Sequence, residues 1–116
     1  MITVFGITNC TTVKKTCKWL ETNKIEYIFW DYKKVGIDKQ HLEKWCNKFG
    51  WETVLNRSGL MWKKADEKDK VKVVDTAAAI EFMLQTPTSI KRPIIEYQTE
   101  ILKGFDEAQY ERELLK

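Results

Sequence analysis

Histidine and proline are almost missing from this sequence, with one of the first and two of the second in a chain of 116 residues. The single histidine, His41, falls on the polar side of a helical stretch, so imidazole-based catalysis is set aside. The three cysteines, Cys10, Cys17 and Cys46, are spaced neither as a CxxC pair nor as a zinc-binding set, and no metal site is expected. Their odd number argues against a disulfide framework and for a reducing compartment. Neither sign of charge dominates. Twenty basic side chains against 17 acidic ones leave a net charge of +3, too balanced to mark a nucleic-acid binder. Arginine is scarce as well: Arg57, Arg92 and Arg112 stand alone, and the other basic residues are lysines. No apolar run is long enough for a membrane span. Residues 1–5 show no basic lead into a long apolar stretch, so no secretory signal is read and a cytoplasmic protein is expected, with a monomer as the default.

What is present suits one globular domain. Apolar residues make up 43% of the chain and charged residues 32%, enough to build a core without disulfide staples. A β-rich run at residues 2–6 ends in glycine and reads as a strand. Residues 11–23 follow as a helix, with Val13, Cys17 and Leu20 in one apolar stripe. Residues 26–30 form a second strand, aromatic and β-branched. Asp38 is placed to cap a helix to about residue 48, with Leu42, Trp45, Cys46 and Phe49 inward. Helical segments broken near Ser58 and Gly59 fill residues 52–65, and the charged run 66–72 reads as a solvated loop. Asp75 caps a helix over 76–85 with Ile80 and Leu84 inward, and Pro87 lies just past its end. Strands at 94–97 and 100–103 flank a Gln98–Thr99 turn, and Asp106 caps a last helix running to Lys116. A βαβ start and a ββα finish around one mixed sheet is a thioredoxin-like α/β topology. The chain is then a single domain, 1–116, with a helical insertion at about 36–86.

Cys10 is the residue with chemistry in its position. A cysteine between a strand and a helix lies beside free backbone N–H groups and the positive end of the helix dipole. Such a place favours thiolate and lowers a cysteine pKa from ~8.5 into roughly 3.5–7.5. Thr11 and Thr12 add hydroxyl donors, and Lys14 adds positive charge. Cys17 and Cys46 fall in apolar stripes and read as core. Arg92 offers a planar fork for a carboxylate or oxyanion, and Pro93 stands at the first position of a strand, where proline is tolerated. Arg57 is read as either an anion-binding residue or a surface residue.

Three stretches in this order resemble the arsenate-reductase-like (ArsC/Spx/YffB) family. They are Phe5-Gly6-Ile7-Thr8-Asn9-Cys10-Thr11-Thr12-Val13-Lys14-Lys15, then Leu55-Asn56-Arg57-Ser58-Gly59-Leu60-Met61-Trp62-Lys63, then Ser89-Ile90-Lys91-Arg92-Pro93-Ile94-Ile95 with Gly104-Phe105 beyond. The opening is most similar to the YffB-type branch. That resemblance implies a thioredoxin fold with a helical insertion and a thiol redox function, with no bound cofactor and with glutathione as co-substrate. It implies Cys10 as nucleophile, a cis peptide bond at Pro93, and Arg92 on the substrate anion. Asn9, Thr11, Thr12, Lys14, Arg57 and Pro93 join Arg92 as candidate substrate-binding residues. Glutathione or glutaredoxin is the implied partner. YffB-type members carry arginine directly before the glycine, where this chain has Ser58, so Arg57 stands one residue out of place.

Two other functional readings stay open, beside that of a degenerate thioredoxin-fold domain without turnover. Arsenate reductases proper use three arginines around the oxyanion and read Cys-Gly-Thr-Ser-Arg, whereas this chain has Cys10-Thr11-Thr12-Val13-Lys14, with Lys103 and Gly104 near the third arginine position. A regulatory protein of the Spx type, binding RNA polymerase, is the other. Its CxxC switch has no counterpart here, because Val13 stands three residues after Cys10.

Overall fold

The computed structural model of the chain describes residues 1–115. Strand β1 (Ile2–Gly6) leads into helix α1 (Thr11–Thr22) and then strand β2 (Tyr27–Asp31). Six short helices follow: α2 (Tyr32–Val35), α3 (Lys39–Phe49), α4 (Trp51–Val54), α5 (Leu60–Lys64), α6 (Glu67–Lys70) and α7 (Thr76–Gln85). A 3-10 turn (Pro87–Ser89), strands β3 (Ile94–Tyr97) and β4 (Glu100–Lys103), and helix α8 (Glu107–Leu114) complete it. The chain divides into two compact units, Met1–Asp31 with Arg92–Lys116, and Tyr32–Lys91.

The first unit is a thioredoxin-like α/β layer. Its sheet runs β2-β1-β3-β4, with β1 parallel to β2 and antiparallel to β3, and β3 antiparallel to β4. The parallel step needs a crossover, and α1 supplies it, which is why the chain opens βαβ. The two central strands bury both faces, so β1 places Val4 and Phe5 inside in succession, while edge strand β4 leaves Glu100 and Lys103 exposed. Ile2, Val4, Ile95 and Leu102 form a cluster with Trp19 and Leu20 of α1 and Tyr110 and Leu114 of α8. Phe5 stacks against its cross-strand partner Trp30, with ring centroids 5.2 Å apart. Gln98 takes a positive φ of 56°, which lets the two-residue turn close the β3–β4 hairpin.

The second unit is helical. Leu42, Trp45 and Cys46 of α3 are buried, as the stripe predicts, with Phe49 at its margin. Asp38 caps α3 by accepting from the His41 N–H at 2.8 Å, and Asp75 caps α7 through Ala78 N–H at 2.9 Å. Tyr32 is fully buried and donates its hydroxyl to the Ile90 carbonyl, tying the two ends of this unit together. An isolated bridge pairs Leu55 with Ile90.

Three expectations need correction. The charged run 66–72 is not simply a loop, because α6 forms there. Glu67 and Asp69 lie in its first turn and Lys68 and Lys70 in its last, each sign favourable to the helix dipole. In α7 the inward residues are Ala79, Ile80 and Met83, and Leu84 is only half-buried. Cys17 is likewise half-buried. The inward face of α1 is centred on Thr16, flanked by Val13, Trp19 and Leu20, and Cys17 lies about 100° round the helix from that centre. The last turn expected at Lys116 falls outside the described residues.

Candidate functional site

Cys10 occupies the N-cap of α1 in extended conformation, with φ −150° and ψ 122°. Its carbonyl already accepts the first helical bond, from Lys14 N–H at 3.0 Å. The chain reaches this point because Gly6 ends β1 where Val13 folds back on it. A Cβ on Gly6 would stand 2.8 Å from a Val13 methyl, so only glycine admits this approach of strand and helix.

The sulfur is half-buried, and burial alone would raise its pKa. The N–H of Val13, the Arg92 guanidinium and the N–H of Thr12 face it and outweigh that effect, holding the thiol below its ordinary value. The neutral side chain closes no conventional capping hydrogen bond, so these donors act chiefly on the charged sulfur. Cys10 thus stands at an N-cap whose donors favour the thiolate over the thiol.

Arg92 comes to the sulfur from the loop before β3. The Arg92–Pro93 peptide bond is cis, and Pro93 is buried. The Pro93 carbonyl accepts from the Gly104 N–H at 2.8 Å, which fixes this loop to the end of β4. Among the other candidates, Thr12 is half-buried, while Asn9, Thr11 and Lys14 are exposed around the thiol. Arg57 belongs to the second unit, where its guanidinium lies 5.5 Å over the Trp51 ring. Ser58, at the position where the resemblance expects arginine, donates to Asn56 Oδ1 at 3.0 Å.

The other thiols differ in kind. Cys46 is pushed up to about 11 by burial alone. Cys17 is also raised, by burial first and by the Glu21 carboxylate beside it. Tyr27 donates to Glu21 at 2.7 Å. Residues Lys14, Cys17, Lys18, Tyr27 and Phe29 line a cleft of about 490 Å³ on this side of α1. The sequence offered only Cys17 as a hint of this cluster. A larger cleft, about 670 Å³, lies in the second unit, and none of its lining residues is a cysteine or histidine. Among the described residues all three cysteines are free. No three His, Cys, Asp or Glu side chains gather to hold a metal ion among them, and no helix is long and apolar enough to cross a membrane.

A mixed four-stranded sheet, a thiol at the first helix N-cap, and a cis proline preceded by arginine define a protein of the thioredoxin-like class. Within that class the chain belongs to the ArsC family, whose model matches residues 5–112. It is 46% identical to a solved YffB protein, covering 97% of each chain with a TM-score of 0.92. The solution structure of an arsenate reductase (ArsC) related protein from Brucella melitensis is 42% identical, covering 97% of this chain and 93% of that one, with a TM-score of 0.73. An uncharacterized protein of Haemophilus influenzae is 40% identical over 96% of both chains.

Proposed function

We propose that this ArsC-family protein is a glutathione-dependent thiol reductase, with Cys10 as a monothiol nucleophile and Arg92 as the residue that binds the substrate's anionic group. The observation that carries the reading is the environment of one sulfur. Cys10 is accessible, low in pKa, and faced by two N–H groups and a guanidinium. Cys17, seven residues further along the same helix, is about 10 Å away along the axis. That exceeds the ~7 Å reach of a disulfide between Cα atoms, so the helix offers no resolving partner.

The Cys10 thiolate attacks the glutathionyl sulfur of a mixed disulfide, RS–SG. The S–S bond breaks, a Cys10–SG disulfide forms, and RS⁻ leaves and takes a proton from water. A second glutathione, as thiolate, attacks the glutathionyl sulfur of that adduct. Glutathione disulfide leaves and the Cys10 thiolate returns. The substrate gains two electrons and two glutathiones lose them. Arg92 serves twice, holding sulfur anionic before attack and pairing with a glutathione carboxylate during it. Asn9, Thr11, Thr12 and Lys14 ring the entry with polar groups that suit a peptide thiol. Arsenate reduction is less well served. A tetrahedral oxyanion suits several arginine forks, and beside Arg92 the chain has only lysine and glycine at 103 and 104 near the third position.

The test is intact-mass spectrometry after exposure to glutathione disulfide. One glutathione adduct on Cys10, removed by fresh glutathione and coupled to reduction of a glutathionylated peptide, is the expected result. Absence of any adduct, with Cys10 titrating as an ordinary thiol, overturns the proposal.

A further inference from the structure

The mechanism uses Cys10 and Arg92 but leaves a buried polar pair unassigned. Thr16 and Tyr110 are both wholly buried, and their hydroxyls meet at 3.0 Å across 94 residues of sequence. The Tyr110 hydroxyl donates its only proton to the Gly104 carbonyl at 2.5 Å. Thr16 must therefore be the donor of the pair, giving its proton to the Tyr110 oxygen. That assignment agrees with the direction of Tyr110's own titration. Burial pushes it up to about 12 while Thr16 pulls it down, as a donor to the phenol oxygen would.

These bonds close a ring. Thr16 sits on α1, the helix that Cys10 caps. Tyr110, on α8, joins it to Gly104 at the end of β4. The Gly104 N–H then holds the Pro93 carbonyl. Pro93 follows Arg92, whose guanidinium reaches the Cys10 sulfur and so returns to α1. Gly104 has a φ of +70°, a conformation that presents its N–H and C=O to two different partners and that a side chain would resist.

We infer that Tyr110 is a positioning residue for the reactive thiol: its hydroxyl, shared between Thr16 and Gly104, fixes the Arg92–Pro93 loop against α1 and so sets how closely the guanidinium approaches Cys10. This rests on the reading of Cys10 as the reactive group, but not on glutathione. An apolar contact in place of the hydroxyl would keep the packing of α8, since the ring itself meets Trp19 and Phe105 edge-on at 5.3 and 5.4 Å. What it would lose is the register between helix and loop.

The test measures the rate of iodoacetamide alkylation at Cys10 against pH, in the intact protein, with the other two thiols removed by Cys17→Ala and Cys46→Ala. Tyr110→Phe is expected to raise the titration midpoint by about half to one pH unit, so that alkylation at pH values below the wild-type midpoint slows by about threefold to tenfold. Thr16→Val should act in the same direction, while Thr16→Ser, which keeps the hydroxyl, should behave as wild type. Arg92→Ala should shift the midpoint too, and Tyr110→Phe added to it should change nothing further, because the hydroxyl acts through the arginine. A Tyr110→Phe protein with the wild-type midpoint overturns the inference, and so does a shift fully additive with that of Arg92→Ala. Should Tyr110→Phe fail to fold, the contrast between Thr16→Ser and Thr16→Val decides it: equal midpoints refute the role. A failed glutathione reaction with these midpoint shifts intact would count against the proposed reductase and leave the positioning role standing.

Discussion

Helices α1 and α3 begin in the same backbone conformation and are capped by different chemistry. At α3 the cap is Asp38, a carboxylate that accepts the His41 N–H at 2.8 Å. Helices α7 and α8 follow the same pattern with Asp75 and Asp106. At α1 the equivalent place holds Cys10, whose neutral thiol closes no such bond. The donors at a helix start are the same in each case and call for an anion. Aspartate is an anion at every physiological pH, so its cap serves the fold. A thiol becomes one only by losing its proton, so the same donors lower its pKa and favour its thiolate form. Cys46 provides the counter-case. It lies within α3, where backbone N–H groups are bonded along the helix, and burial alone drives its pKa to about 11.

The largest way to break this comparison is to make α1 resemble α3. Cys10→Asp should give α1 an ordinary carboxylate cap beside Arg92. Thiol chemistry should fall to background while stability rises by up to ~1 kcal/mol, read by urea unfolding. Cys10→Ser should abolish the chemistry equally, without the charge. A Cys10→Asp protein less stable than Cys10→Ser would show that the site does not favour an anion.

Next in size is Arg92→Ala, which removes the one guanidinium from the sulfur. Alkylation of Cys10 at pH values below its wild-type midpoint should slow by about tenfold, and Arg92→Lys should recover part of it, since lysine returns charge without the fork. The same shift appears as stability. Because the folded pKa of Cys10 lies below its ordinary value, thiolate stabilises the fold fully above that ordinary value, and the contribution is lost as pH falls through the lowered folded one. Subtracting the stability–pH curve of Cys10→Ser from wild type should expose this slope, and Arg92→Ala should reduce it.

The caps were legible in the sequence, and the ring that positions the thiol was not. An aspartate before an amphipathic run announces a helix start within three residues, and Asp38, Asp75 and Asp106 all cap where that rule places them. Cys10 was legible for the same local reason. The six elements of the sheet unit followed from short-range periodicity and turn residues. The inward centre of α1 did not, because Thr16 is polar and a hydropathy stripe passes it over in favour of Cys17. Its burial makes sense only with Tyr110 opposite, and nothing in the residues around either one signals a partner 94 positions away. Helix α6 was missed because its four charged residues have no apolar face to display, and their sign order along the dipole is a weak signal.

A smaller effect on the thiol concerns how α1 is brought to its strand. Gly6→Ala puts a methyl 2.8 Å from Val13, the residue whose N–H faces the sulfur. Either β1 or the first turn of α1 must shift. Overpacking of this kind costs about 1–3 kcal/mol. The Cys10 midpoint should rise with it, since the Val13 N–H moves away. Loss of stability with an unmoved midpoint would mean that the strand yields and the helix start does not.

The smallest change is the control on the other side of the comparison. Asp38→Ala takes the carboxylate from the start of α3 and should lower stability by about 1 kcal/mol at neutral pH, the usual worth of an N-cap. The His41 N–H bond, more than the His41 ring 2.6 Å from the same oxygen, holds the Asp38 carboxyl below its ordinary 3.8. Its folded pKa being depressed, the cap's contribution is complete above 3.8 and disappears as pH falls through the lowered folded value. Wild type and Asp38→Ala should therefore differ at pH 6 and converge in strong acid. Asp38→Asn, neutral but still an acceptor, should keep most of the cap and lose the pH dependence. The Cys10 alkylation midpoint should be the same in all three, because the capping anion of α3 serves the fold alone. A midpoint that moved with Asp38 would mean that the two helix starts are coupled, and that the thiol's pKa is not set only by the donors that face it.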